Sequence, residues 1–291
     1  MTIDSPLIHA SEADLASAVQ ENLFALFRAM TALPGSELVE GEKLSRHLAF
    51  PSNPMYKGVW RTRLEKEELD VAIKDTIAWF KSRSAPFFFW WTGPGTMPPD
   101  LDERLMAHGL ISMAEQAKEM APGIISTEAG APGMIGDLRK MNEAVLNQTP
   151  GGFIIEEVLD ETSLSDFKRV LIEGYEIPDV MADGWMQATQ RLGIGKTPWR
   201  MYLGRFNGEP VATNIVLNGA GVAGVYGVAT VPSARGKGFG GAITLKPLLN
   251  ARNEGYNYAV LFASEMGIHA YERIGFQQCG IRINRYLWRN G

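Results

Sequence analysis

One cysteine, Cys279, and four histidines, His9, His47, His108 and His269, are all the thiol and imidazole ligands that 291 residues supply. A single cysteine closes no intramolecular disulfide and builds no cysteine cluster, which fits a reducing, cytoplasmic setting. The histidines are scattered, without His-Glu-x-x-His spacing, so no metal is expected. Positive charge is not in excess either. The 28 basic residues against 33 acidic ones leave −5, the wrong sign for a nucleic-acid surface. Long apolar runs are missing: the densest, Phe87 to Trp91, is far shorter than a membrane span. Met1 to Leu15 has no basic stretch followed by an apolar one, so no secretory leader is expected. What remains, 45% hydrophobic and 21% charged, suits a folded chain of about two domains.

Along the chain, Leu15, Val19, Leu23, Leu26 and Met30 recur at helical spacing, with Ser11 and Asp14 as an N-cap and Pro34-Gly35 as the stop. The polar stretch that follows, with Pro51, Asn53 and Pro54, reads as loop. Tyr56 to Leu64 reads as strand, Glu65 to Phe80 as helix, Pro86 to Thr92 as buried strand, and Pro99 to Ala107 as short helix. Between Ala121 and Gly152, glycine and proline punctuate the sequence around one short element at Met134 to Leu146. We place the domain boundary there, giving 1–148 and 149–291.

The second half is more regular. Phe153 to Leu159 reads as strand, and helices follow over Ser163 to Tyr175 and Val180 to Leu192. Strands Trp199 to Phe206, Pro210 to Asn218 and Gly221 to Val231 are joined by Asn207-Gly208 and Gly219-Ala220-Gly221, both hairpin signals. A glycine turn then leads into a helix, Arg235 to about Asn253, in which Pro247 should kink the axis. Strand Tyr256 to Ala263, helix Gly267 to Ile274 and strand Gln277 to Trp288 close the chain. This order is neither doubly wound nor a barrel; it predicts a mixed α+β sheet.

The sharpest local signal runs from Val228 to Gly241: a strand, then Arg235-Gly236-Lys237-Gly238-Phe239-Gly240-Gly241 opening a helix. Free N–H groups at a helix start, in a turn without obstructing side chains, can cradle a phosphate or pyrophosphate. Arg235 and Lys237 add positive charge. An ordinary strand-to-helix turn would use the same glycines. Gly236, Gly238 and Gly241 also satisfy G-x-G-x-x-G, but the preceding hairpins and the position of Glu254 at the helix end do not suit a dinucleotide fold. A P-loop is excluded, because no Gly-Lys-Ser/Thr follows a glycine after a four-residue gap.

Arg235 to Gly240 resembles the Arg/Gln-x-x-Gly-x-Gly/Ala acetyl-CoA signature of the GNAT superfamily of N-acetyltransferases. Ala270-Tyr271-Glu272-Arg273-Ile274-Gly275-Phe276 is similar to that family's tyrosine-bearing helix. The two motifs stand in the family's order, and the resemblance spans about the last 140 residues. It implies a mixed, mainly antiparallel sheet flanked by helices and acetyl-CoA as co-substrate, with the pyrophosphate on residues Gly236 to Gly241. It also implies that Val228, Ala229 and Thr230 bind pantetheine and polarise the acetyl carbonyl by a backbone N–H, and that Tyr271 protonates the departing thiolate. Where many relatives carry asparagine, this chain has Ser264, which can still offer one hydrogen bond to pantetheine. The implied reaction is acetyl transfer to the amine of a small-molecule or amino-acid-like acceptor. A CoA-binding sensor or sequestering module would use the same cradle, but a pure binder has no need of an acid at Tyr271.

Amine acetylation also needs a base. Glu157, Glu173, Glu176, Asp179 and Glu265 are candidates by their expected positions; His269 falls on a different helix face from Tyr271. Tyr226, in phase with Val228 and Thr230, either lines the acceptor pocket or packs. The block from Phe87 to Leu110 can be laid beside the C-terminal block, with Gly109 at Gly275 and Leu105 at Tyr271. The first half therefore reads as a degenerate GNAT-like repeat in which Arg61-Thr62-Arg63-Leu64 replaces the glycine turn. The run Phe87 to Trp91 itself reads as a strand buried on both faces.

Overall fold

The computed structural model describes residues 5–49, 56–113 and 130–290. In chain order the elements are α1 (Glu12–Met30), β1 (Glu37–Glu40), β2 (Ser45–Leu48), β3 (Lys57–Trp60), α2 (Leu69–Lys81), β4 (Phe87–Thr92), α3 (Leu101–Ala107), β5 (Ile111–Ser112), β6 (Ala131–Asp137) and β7 (Phe153–Glu157). They continue with α4 (Glu161–Tyr175), α5 (Asp179–Leu192), β8 (Trp199–Phe206), β9 (Glu209–Gly219), β10 (Val222–Thr230), α6 (Phe239–Asn253), β11 (Tyr258–Phe262), α7 (Glu265–Ile274) and β12 (Phe276–Arg289). Short 3₁₀ turns occupy Glu143–Gln148 and Pro232–Ala234. The chain divides into two compact units, Met1–Leu26 with Gly133–Cys279 and Phe27–Pro132 with Gly280–Gly291. Among the described residues no helix is long and apolar enough to cross a membrane.

In the first unit the strand order is β6-β11-β10-β9-β8-β7. All neighbours are antiparallel except β10 and β11, which are parallel. The hairpin signals act as read: Asn207 and Gly208 take φ of 51° and 89°, Ala220 and Gly221 53° and 74°, the positive pair that a tight two-residue turn requires. The start of α4 is fixed by a reciprocal cap in which Asp160 accepts from the Ser163 N–H at 2.7 Å. Alternation along β9 sends neighbouring side chains to opposite faces. Asn214 reaches α6 at the Ile243 carbonyl, while Ile215 and Leu171 of α4 both border Gly227. The two helices therefore cover opposite faces of the sheet, and Phe167 and Phe239, both at most 1% exposed, fill the layers beneath them.

Helix α6 runs through Pro247 without interruption. Proline has no N–H, so the Ile243 carbonyl four residues earlier loses its helical donor. Buried Asn214 supplies the replacement, donating from Nδ2 at 2.8 Å.

In the second unit the order is β1-β2-β3-β4-β12, with β5 also on β12. Strands β3 and β4 are parallel and joined by α2. The core gathers Val59, Leu69, Ile73, Phe80, Phe88, Trp90, Leu105, Tyr286 and Trp288. The stretch after Gly35, expected as loop, contains the hairpin β1–β2. All four residues of β1, Glu-Leu-Val-Glu, are exposed at the sheet edge, so no buried alternation announces the strand. Within the punctuated region, 121–129 lie outside the described residues; the remainder forms β6 and the 3₁₀ turn Glu143–Gln148.

Candidate functional site

The candidate site is built within the first unit. Strand β10 pairs with β9 to its end, but the register slips between Tyr226 and Ala229. Gly227 at φ 57° carries the bulge, and its carbonyl accepts from Thr213 Oγ1 at 2.9 Å. On the other side, β10 pairs with β11 only over Ala223–Val225. Beyond Val225 that edge of β10 has no strand partner among the described residues, which leaves backbone groups of Tyr226 to Thr230 open to a ligand or to water. Val228 and Thr230 are half-buried there and Ala229 is buried.

The chain next makes the 3₁₀ turn Pro232–Ala234 and enters α6 through Gly236 at φ 78° and Gly238 at φ 81°. No acceptor for the N–H groups of Gly236 to Gly241 is found among the described residues. The glycines have separate reasons. Gly236 and Gly238 hold left-handed backbone that a side chain would strain. A Cβ on Gly240 would meet only Thr230 Oγ1, at 3.6 Å, so its glycine keeps the mouth of the turn clear. A Cβ on Gly241 would lie 2.9 Å from Val145, so that glycine serves helix packing. Phe239 anchors the helix start, stacked 4.4 Å from Phe153 and tilted against Phe206 at 5.2 Å.

The two cations of the turn do different things. Lys237 is exposed, with Nζ 3.3 Å from the Ser233 carbonyl and 5.9 Å from the Phe206 ring. Arg235 is a staple: it donates to the Gly174 carbonyl at 2.7 Å and the Thr230 carbonyl at 3.2 Å, and lies 3.5 Å from Glu176. It thus ties the end of α4 to the end of β10, where Gly174 comes so close that a Cβ would lie 2.8 Å from Ala229.

Helix α7 begins at Ser264, whose Oγ accepts from the Gly267 N–H at 3.2 Å, and ends at Gly275 with φ 110°. Its last turn reaches the cradle helix, since Ile274 borders Gly241 at 3.6 Å from the position of a Cβ. Tyr271 is half-buried, 6.0 Å edge-on to Phe276, and its hydroxyl has no hydrogen-bond partner among the described residues. Burial raises its pKa above the ordinary 10, and the neighbouring Tyr175 raises it further. Tyr175 is itself pushed up to about 12 by burial. A phenol so placed keeps its proton at neutral pH and can give it to a stronger base.

Of the remaining candidates, Tyr226 donates to Asn22 Oδ1 at 2.7 Å and is committed to helix α1. His269 is exposed and sits 3.2 Å from Glu272. Asp179 pairs with Lys168 and Glu176 with Arg235. Glu157 is half-buried and Glu173 exposed, with no ion pair among the described residues. The Glu265 side chain lies outside the described residues. Sequence reasoning missed Tyr175; its only signal was its position at the end of α4, next to the glycine that packs on the strand.

Residues 203–279 match the model of the acetyltransferase (GNAT) domain family. No curated protein matches the sequence. Several solved structures share the fold. A GCN5-related N-acetyltransferase from Kribbella flavida aligns over 98% of this chain and 98% of its own, with TM-score 0.69 and 16% identity. One from Sphaerobacter thermophilus aligns over 97% and 95%, with TM-score 0.60 and 15% identity. A tandem GNAT protein from the clavulanic acid biosynthesis pathway, solved without acetyl-CoA, aligns over 96% and 95%, with TM-score 0.58 and 12% identity.

Proposed function

We propose, from the match of residues 203–279 to the acetyltransferase (GNAT) domain family, that this chain is an acetyl-CoA-dependent N-acetyltransferase acting on a small-molecule or amino-acid-like amine. The observation that carries the reading is the juxtaposition of N–H groups at Gly236 to Gly241, an edge of β10 and a Tyr271 hydroxyl that have no partner among the described residues. The residues suit the co-substrate: the turn offers N–H donors without a carboxylate in the first turn of the helix, and a Cβ on Gly240 would meet nothing closer than Thr230 Oγ1 at 3.6 Å.

In this reading residues 149–291 do the acetyl-CoA work and 1–148 are a degenerate GNAT-like partner. The cradle holds the pyrophosphate, with Lys237 at its rim, while Arg235 fixes the cradle against α4. The open backbone of Val228, Ala229 and Thr230 aligns the pantetheine, and an N–H there faces the oxygen on which negative charge develops during attack. Ser264 orients α7 through its cap and presents its hydroxyl to the same arm. Acetyl-CoA supplies an activated acyl thioester. Tyr271 keeps its proton until sulfur gains charge, then gives it up. A free hydroxyl in that position favours transfer over simple sequestration. Proton removal from the amine falls to an unassigned carboxylate or water. The single cysteine fits a cytoplasmic location.

The test is a thiol-release assay with acetyl-CoA across a panel of primary amines. Acceptor-dependent release is the expected result. Tight acetyl-CoA binding with no release for any amine would assign the chain to binding alone.

A further inference from the structure

The aromatic run Phe87 to Trp91 does two different jobs on its two faces. Phe88 and Trp90 enter the core of the second unit with Tyr286 and Trp288. Phe89 and Trp91 alternate to the other face, where Trp91 is paired across the sheet with Arg285. The Arg285 guanidinium carbon lies 5.3 Å from the Trp91 ring and 5.7 Å from the Phe89 ring. Its side chain is half-buried, and none of its donors meets a carboxylate or carbonyl among the described residues. Three other arginines of the same unit are neutralised, Arg28 by Glu40 at 2.8 Å, Arg83 by Glu37 at 2.8 Å and Arg104 by Asp70 at 3.0 Å, whereas Arg46, over the Trp79 ring, has no ion pair among the described residues. Burial lowers the Arg285 pKa, with no acidic neighbour to offset it among the described residues.

A second observation lies beside it. Trp91 Nε1 is buried without an acceptor among the described residues. His47, fully buried, accepts from Trp60 Nε1 through Nδ1 at 3.1 Å. That leaves the proton on Nε2, which is also buried without a hydrogen-bond partner. The two flank Gly58: a Cβ there would lie 3.2 Å from Trp91 Nε1 and 3.2 Å from His47 Cε1. Burial holds the His47 pKa down at about 3, so the ring is neutral. One face of this unit therefore brings one unneutralised cation against two aromatic rings, one of which carries a buried N–H donor without an acceptor.

We propose that Arg285 and Trp91 form a binding site for a small monocarboxylate with an aromatic or apolar body. The guanidinium fork takes the carboxylate, and the Phe89 and Trp91 rings cover the body. A single positive charge balances a monoanion; a phosphate dianion would leave excess charge against apolar walls. Water can satisfy donors but cannot neutralise the guanidinium. None of these residues belongs to the acetyl-CoA cradle, so the proposal stands apart from the reading given above.

Calorimetry on the full chain tests it, with benzoate as the probe and benzamide and inorganic phosphate as comparators. Benzoate binds saturably and at least tenfold more tightly than either comparator, and Arg285→Gln weakens it at least tenfold. Arg285→Lys keeps charge without the fork and falls between. Acetyl-CoA affinity is unchanged in all of them. Thermal melting gives the second readout. Arg285→Met removes an unneutralised charge, so without benzoate it melts no lower than the parent, and it loses the benzoate-dependent rise. Absence of saturable benzoate binding, equal benzoate affinity in Arg285→Gln, tighter binding of phosphate, or a large fall in the melting temperature of ligand-free Arg285→Met would each overturn the proposal.

Discussion

The two units carry the same frame with different helix starts. In each, two parallel strands are joined by a helix, β10-α6-β11 in one and β3-α2-β4 in the other, and a short helix follows. Both short helices run into a glycine with positive φ, Gly275 at 110° and Gly109 at 84°. Helix α6 starts from left-handed Gly238 with no acidic residue in its first turn. Helix α2 starts from Glu68 at φ −82°, with Asp70 in its first turn. The Glu68 carboxylate already meets Lys43 at 2.6 Å and the Glu65 N–H at 3.0 Å. An anion is thus built into one helix start and left out of the other. At the place of Tyr271 the second unit has Leu105, which is fully buried. The frame is common to both units; what differs is whether donors at the helix start are left for a ligand.

The largest effect expected from this contrast comes from putting an acid where the first unit has none. Gly240→Asp places a carboxylate at the mouth of the cradle, where only Thr230 Oγ1 is near. It should abolish acetyl-CoA binding by bulk and like charge while circular dichroism shows an intact fold. Glu68→Gln, the matching change in the second unit, should leave that affinity untouched. Calorimetry decides, and undiminished affinity in Gly240→Asp would sink the cradle assignment.

Tyr271→Phe comes next. It deletes one hydroxyl with no protein partner among the described residues, so packing against Phe276 persists. The turnover number should fall by about 10²-fold and kcat/KM with it, while the acetyl-CoA dissociation constant barely moves. The assay belongs below about pH 8, because a thiol of pKa about 8.5 leaves readily as thiolate above it. Full turnover in the variant would make the tyrosine structural.

Acid separates the units by another route. His47 is neutral and buried with a pKa of about 3, against an ordinary 6.5. The unfolded chain therefore takes up the proton first. The contribution is constant above about pH 6.5 and turns unfavourable as pH falls, by at most about 1.4 kcal/mol per pH unit. Near pH 5 the parent should have lost about 2 kcal/mol on this account. His47→Gln, which keeps an acceptor for Trp60, should show a flatter profile in urea melts between about pH 7 and pH 5. Parallel profiles would mean that the ring is not the acid-sensitive group.

The sequence reveals local chemistry better than it reveals pairing across the chain. Asn207-Gly208 specifies its hairpin by itself, and Arg235 to Gly240 with Tyr271 point to one family because each motif needs particular residues at short spacing. The hairpin β1–β2 escapes because its outer strand buries nothing. Punctuation between Ala121 and Gly152 speaks to chain order. The assignment of β12 residues Gly280 to Arg289 to the second unit is set instead by pairing with β4, almost 200 residues away in sequence. The role of Arg235 divides in the same way: its charge beside the glycines is visible in sequence, but its grip on Gly174 depends on how α4 ends.

The smallest effect tests a compensation that no motif announces. Pro247 leaves the Ile243 carbonyl without a helical donor, and Asn214 donates to it instead. Losing the donor to a buried carbonyl costs about 1–3 kcal/mol. Asn214 Oδ1, however, is itself buried without a partner, so removing the side chain also removes one unsatisfied acceptor. Asn214→Leu, which roughly keeps the volume, should therefore destabilise by only about 1 kcal/mol. Pro247→Ala restores an N–H four residues after Ile243. In that background the helix satisfies its own carbonyl, and Asn214→Leu should cost close to nothing. A double-mutant cycle in urea measures the coupling directly. Additive losses would show that the contact between Asn214 and Ile243 is incidental; a cost that disappears with the proline would show that strand and helix are matched through one hydrogen bond.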